Sequence, residues 1–172
     1  EIGFNAIAIT DHDTVDGIKI ALQEAEKSSL EVIPGIEINT DHASTEVHVL
    51  GYYIDYENKA LLNKLEELKE ARYLRAEKIV DKLNDLGLEI NFNEVLNLAD
   101  GAAVGRSHIA QIILEKGYVE EWSQVFDEYI GRQAPAYVER ERLDVKGAIE
   151  LINKANGIPV IAHPGLINND EL

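Results

Sequence analysis

The sequence predicts an α/β fold in which a sheet is interrupted by a helical insert and then resumed. Two observations carry this. Apolar runs at 4–10 and 31–38 flank a helical pattern at 14–28, a strand–helix–strand unit of about 35 residues, and such a unit implies a parallel sheet. Residues 58–131 then read as nearly all helical, after which Ile158-Pro159-Val160-Ile161-Ala162 returns to strand character.

Taken in order, residues 4–10 (FNAIAIT) lack a helical period and suit a strand buried on both faces. Val15, Ile18, Ala21, Leu22 and Ala25 recur at helical spacing, with Thr14 as N-cap. Glu31–Ile38 forms the second strand, and Pro34-Gly35 marks a point where regular pairing should lapse. Residues 46–54 (EVHVLGYYI) make a third. Leu61, Leu62, Leu65, Leu68, Ala71, Tyr73, Ile79, Val80, Leu83 and Leu86 pattern a long helix over 58–86, with its core stripe, ended by Gly87. Shorter helices are expected near 92–99, 106–116 and 120–130, stopped by Gly101, Gly117 and Gly131, and another at 144–156 before Gly157. The expected organisation is a sheet segment over 1–57, a helical insertion over 58–142 and a return segment over 143–172.

Composition narrows the class. The 172 residues are 45% apolar and 28% charged, an ordinary globular balance. Lys and Arg number 16 against 32 Asp and Glu, giving a net charge of -16, which argues against binding nucleic acid or an anionic membrane through a basic face. A phosphate-bearing ligand then requires local cations or metals. Without cysteine, disulfides and thiolate metal sites are excluded. No apolar run is long enough to span a bilayer and no signal peptide opens the chain, so a cytoplasmic location is expected. The absence of methionine, and the final residues Asn168–Leu172 reading as a loop or helix start, suggest a piece of a longer protein.

Polar residues cluster where strands end. The first strand runs into Thr10-Asp11-His12-Asp13, Glu37 follows Pro34-Gly35, His48 sits between valines, and the last strand delivers His163-Pro164. In parallel α/β folds the carboxyl ends of strands converge on one face, and three imidazoles with a carboxylate suit an N/O metal site. Each residue also has a structural reading. Read structurally, His12 caps the following helix, Glu37 faces solvent on an edge strand, His48 is a hydrogen-bonded core histidine, and His163 merely ends a strand. His42, in a polar turn, is expected to be exposed. Gly105-Arg106-Ser107-His108 opens a helix whose N-terminus suits an anion, or else Ser107 caps it with Arg106 solvated. Arg132 follows another helix, where a cation favours the dipole.

The runs AIAITDHDTVDG, VIPGIEIN, EVHVLGYYID, GRSHIAQIILEKGYV and IPVIAHPG together resemble the polymerase and histidinol phosphatase (PHP) superfamily, in particular its metal-dependent phosphoesterases, which include 3′,5′-nucleoside bisphosphate phosphatases and a 5′→3′ exoribonuclease. The resemblance implies a portion of a distorted (β/α)7 barrel carrying a mainly helical inserted subdomain. It implies two or three divalent ions (manganese, iron or zinc) held by His12, Glu37, His48 and His163, with Glu37 bridging and His48 and His163 on the same ion. Asp11 and Glu37 then stand nearest the chemistry, Asp11 as a partner behind the ligands. His108 and Arg132, and less directly Arg106, match positions that hold a substrate phosphate.

The implied reaction is hydrolysis of a phosphoester by a metal-held hydroxide, on a phosphorylated small molecule or short nucleic acid. The family's opening His-x-His motif and its closing Asp-x-His motif fall outside this chain, so activity is expected to be impaired and self-association through unpaired barrel edges is expected. The rival readings are a phosphatase of another class such as histidinol phosphatase, an interaction module with an incomplete metal site, and an amidohydrolase.

Overall fold

Val32, Ile33, Ile36, Ile38 and Thr40 give the stretch after Leu30 a strong strand preference. The computed structural model, which describes residues 3–42, 45–100 and 103–167, folds the 12 residues Glu31–His42 into one strand, β2. The expected helix stop at Gly101, the middle of the polar turn at Ala43-Ser44 and the end of the chain from Asn168 lie outside the described residues. β1 (Ala6–Ile9) pairs in parallel with the first four residues of β2 after the intervening helix α1 (Asp16–Ala25). From Gly35 onward β2 pairs antiparallel with β3 (Thr45–Tyr52) on its other side. β4 (Leu143–Asp144) lies parallel to Thr40 and Asp41, and β5 (Ile158–Ile161) pairs antiparallel with β3. The main order is β1–β2–β3–β5.

The sheet is therefore mixed rather than parallel. Only two residues separate His42 from Thr45, and so short a connection turns the chain back, whereas a parallel crossover needs a dozen or more. β1 is not buried on both faces: Ala6 is exposed and Ile7 to Ile9 are half-buried, because among the described residues β1 pairs with β2 alone.

Pro34 and Gly35 do not break β2. The parallel register with the first segment is unchanged beyond Ile9: His12 stands opposite Glu37, the Glu37 N–H donates to Asp11 O at 3.1 Å, and the Asp13 N–H donates to Glu37 O at 3.0 Å. What Pro34-Gly35 marks is the residue at which pairing with β3 begins. Gly35 is required there by close approach. A Cβ would lie 2.8 Å from Gly51 O, 2.8 Å from Thr10 Cγ2 and 3.0 Å from Ile9 O. Two of these atoms are backbone, so Gly35→Ala is expected to cost about 1–3 kcal/mol. A urea unfolding midpoint equal to that of the unaltered chain would show that the strands part freely at this point.

The chain divides into two compact units, Glu1–Glu66 with Arg142–Leu172, and Glu67–Glu141. In the first, Ile18 of α1, Ile36, Ile38 and Val49 of the sheet, Leu61 from the start of α2 (Lys59–Asp85) and Ile152 of α6 (Val145–Lys154) are almost wholly inaccessible and form one cluster. These helices cover one face of the sheet. Strand alternation sends Glu37, Asn39 and His48 to the other. Thr14 sits one position before the observed N-cap, Val15, yet its Oγ1 still accepts the Asp16 N–H at 3.2 Å.

The second unit packs Ile79 and Leu83 of α2 with Val95 of α3 (Phe92–Ala99), Ile109 and Ile113 of α4 (Arg106–Glu115), and Ile130. The expected stripe over 58–86 is broader than the buried face: Leu62, Tyr73 and Leu86 are exposed, Leu62 because it follows Leu61 by about 100° around the helix. The expected 120–130 helix is α-helical only over α5 (Trp122–Gln124), and Val125–Ile130 widens to a π-helix that closes with the Gly131 N–H on Phe126 O at 2.7 Å. Asn91 caps α3 by accepting the Asn93 N–H, and the Glu94 carboxyl is held below its ordinary range chiefly by a hydrogen bond from Lys116. Among the described residues no helix is long and apolar enough to cross a membrane.

Candidate metal centre

The sheet brings the four predicted metal ligands together on the face opposite the helices. His12 follows β1 and stands beside Glu37 of β2. His48 is on β3, directly across from Asn39. The Ala162 N–H donates to His48 O at 2.9 Å, which seats the end of β5 so that His163, in a left-handed conformation (φ 30°), follows at the site. The expectation that all four ligands sit at strand ends holds for His12 and His163 only. Glu37 and His48 lie within strands, β2 running on five residues beyond Glu37.

Glu37 is the hub. Its Oε1 lies 2.9 Å from His48 Nδ1 and 3.2 Å from His163 Nε2, and those two nitrogens are 3.1 Å apart. Its Oε2 faces His12 Nε2 at 3.7 Å. The rings of His12 and His163 each meet that of His48 edge-on, at centroid separations of 5.1 and 4.9 Å. Side-chain exposure is 15% for Glu37 and 16% for His48 but 51% for His12 and 44% for His163. The floor of the site is thus sheltered and its rim is open to an incoming ligand.

This donor set fits a divalent cation. Adjacent ligands about 2.1 Å from one ion are about 3.0 Å apart at right angles and about 3.4 Å apart at tetrahedral angles. The triangle of Glu37 Oε1, His48 Nδ1 and His163 Nε2 has edges of 2.9, 3.1 and 3.2 Å, close to the right-angle value. Two neutral imidazole nitrogens facing each other at 3.1 Å need a proton or a cation between them, and two imidazoles with a carboxylate form the N/O set that zinc, manganese and iron accept. Ligand atoms of His12, Glu37 and His48 also lie within 4.8 Å of one another, so Glu37 and His48 belong to both groupings.

Asp11 faces away from this set. It neighbours His12 in extended backbone and so points to the helix side, where its Oδ2 lies 2.8 Å from the position a Cβ on Gly17 would take, beside the first turn of α1. Asp13, which sequence reasoning did not single out, clamps the loop after β1. Its carboxylate accepts the Asn39 N–H at 3.0 Å and Asn39 Nδ2 at 2.7 Å, in a left-handed conformation (φ 54°) that Asp tolerates better than most residues. The available signal was a third polar residue after the strand with a short side chain suited to turns.

The candidate phosphate residues belong to the second unit. The Gly105 N–H donates to His108 Nδ1 at 3.1 Å, so His108 rather than Ser107 caps α4 and only its Nε2 can face a ligand. Arg106 is not simply solvated: its guanidinium lies over the Phe126 ring at 5.7 Å and donates to Ile130 O at 3.4 Å. Arg132 is exposed, as is His42.

A 5′-3′ exoribonuclease from Haemophilus influenzae is 36% identical over 162 residues, covering 94% of this chain and 59% of that protein. A 3′,5′-nucleoside bisphosphate phosphatase from Chromobacterium violaceum is 29% identical over 160 residues, covering 92% and 56%. Among solved structures, an amidohydrolase from Chromobacterium violaceum with bound sulfate and no metal superposes with a TM-score of 0.81 at 28% identity, covering 96% of this chain and 58% of that one. A structure described as a candidate metal-dependent phosphoesterase from Bifidobacterium adolescentis gives 0.82 at 26% identity, covering 99% and 62%. The chain spans less than two thirds of the length of each of these relatives. The PHP domain model matches residues 1–141, and with the mixed α/β sheet and the His–Glu cluster in place, the chain belongs to the PHP domain family.

Proposed function

We propose that this chain carries the metal centre of a phosphoester hydrolase that acts on a nucleotide or on the end of an RNA strand. The observation that carries the reading is the triangle of Glu37 Oε1, His48 Nδ1 and His163 Nε2, with Glu37 Oε2 turned to His12. His48 and His163 with Glu37 would hold one ion, and His12 with Glu37 would hold a second. Manganese, iron and zinc all suit these donors. Bound ions of this kind supply Lewis acidity toward phosphoryl oxygens and a nucleophilic water near neutral pH.

The residues of the chain do the holding. Glu37 spaces the two positions, the imidazoles bind as neutral ligands, and the exposed His12 and His163 leave the rim open. Residues 58–142 act as an insertion between barrel segments 1–57 and 143–172. Its His108 and Arg132, with Arg106, hold a phosphate and offset the acidic field locally. The names of the relatives, a bisphosphate phosphatase and an exoribonuclease, support that substrate class.

The test is metal per chain by elemental mass spectrometry after loading with manganese, followed by phosphate release from adenosine 3′,5′-bisphosphate and from 5′-phosphorylated RNA. Bound metal is expected, with metal-dependent release at the impaired level anticipated for this chain. Turnover of an amide or lactone without phosphate release would replace the reading with an amidohydrolase.

A further inference from the structure

His48 presents both ring nitrogens to carboxylates. Nδ1 faces Glu37 and His163, while on the far side of the ring Nε2 lies 3.3 Å from Glu46 Oε1. A neutral imidazole carries one N–H, so the carboxylate that accepts it decides which nitrogen offers a lone pair.

Glu37 is the nearer carboxylate, but His163 Nε2 stands 3.1 Å from the same Nδ1 and can supply the proton on that side, which leaves Glu46 to accept the one on Nε2. Glu46 precedes His48 by two residues, on the same face of β3. Directly across the ladder on β2 stands Asp41, and two like charges in that position repel. Arg142, immediately before β4, relieves this. Its guanidinium pairs with Asp41 and lies 4.0 Å from Glu46 Oε1, with only 17% of its side chain exposed. Glu46 is therefore held by charge against a fixed element, though more than half of its own side chain is in solvent.

We infer that Glu46 is a positioning residue for His48: by accepting the Nε2–H it fixes the tautomer whose Nδ1 lone pair points to the position shared with Glu37 and His163. The consequence for metal rests on the function proposed above, but the tautomer does not. A carboxylate behind a metal-binding imidazole orients the ring and raises its basicity, and its removal weakens metal binding about 10- to 100-fold.

The experiment uses the full chain with 15N-labelled histidine, at about pH 8, above the ordinary imidazole range. Long-range 1H–15N spectra of the metal-free protein should show His48 protonated at Nε2. Glu46→Ala should shift it to a mixture or to Nδ1–H, and Glu46→Gln, whose amide oxygen still accepts the Nε2–H, should restore it. Zinc titration by calorimetry should then give about 10- to 100-fold weaker binding for Glu46→Ala and a smaller loss for Glu46→Gln, with the melting temperature of the metal-free chain unmoved. An unchanged His48 tautomer in Glu46→Ala overturns the inference whether or not zinc binds. A changed tautomer with unchanged zinc affinity overturns its positioning role. A wild-type chain that shows the Nε2–H tautomer but binds no zinc overturns the metal reading instead, and supports the tautomer assignment.

Discussion

Glu37→Ala should empty the metal centre. Of the four clustered side chains Glu37 is the carboxylate, and both of its oxygens face imidazole nitrogens. Without it, three neutral rings would converge with no negative charge to offset a divalent ion. Metal per chain is expected to fall toward background, and, under the function proposed above, any phosphate release the unaltered chain supports should drop at least about 1,000-fold, equal to about 4 kcal/mol of barrier. Glu37→Gln, which keeps the shape but not the charge, should be nearly as deficient. The backbone bonds of Glu37 to Asp11 and Asp13 survive both changes, so the sheet should still form. Full metal occupancy in purified Glu37→Ala would end its role as hub.

The largest expected loss of stability lies on the opposite face, at Ile152. Its side chain is fully buried and, with Ile54, fills a notch left by two glycines: a Cβ on Gly51 would lie 3.0 Å from Ile152 Cγ1 and 3.2 Å from Ile54 Cγ2, and one on Gly157 would lie 2.5 Å from Ile54 Cγ2 and 3.0 Å from Ile152 Cγ2. Ile152→Ala should cost about 2–5 kcal/mol in urea unfolding. Gly51→Ala should cost about 1–3 kcal/mol alone, yet much less in the Ile152→Ala background, where Ile152 no longer fills its part of the notch. A coupling of about 1 kcal/mol or more is expected from this cycle. Simple additivity would mean that something other than Ile152 keeps Gly51 bare.

Much of this was legible in the residues. The four residues that cluster stand out in the sequence because each is a polar residue set in or just after an apolar strand pattern, and each also has a plain structural reading there. Helix positions followed from spacing and from Gly87 and Gly117, both of which take positive φ. Strand direction was less accessible. Nothing in the alternation of β3 distinguishes parallel from antiparallel pairing, and the deciding fact is the length of a connection. Asp13 was missed because its role depends on a partner brought close by pairing, Asn39, 26 residues beyond it, and the Arg142 that faces Asp41 and Glu46 comes from 101 residues beyond Asp41. The burial of β1 was misjudged because an apolar run shows what a strand can bury, not how many neighbours it will have.

The wide separation of the proposed ligands along the chain has a consequence for how the protein is made. Glu37 and His48 are 11 residues apart and meet through a short hairpin, with His12 supplied by the adjoining strand–helix unit. His163 joins them from 115 residues beyond His48, and closing a flexible loop of that size costs about 4 kcal/mol of entropy. On a growing polypeptide the first three donors leave the ribosome together, long before the fourth. A cation captured by those three would reward the late docking of β5, since any ligand that favours the closed sheet draws folding toward it by mass action. Maturation of the return segment would then depend on the supply of metal during translation.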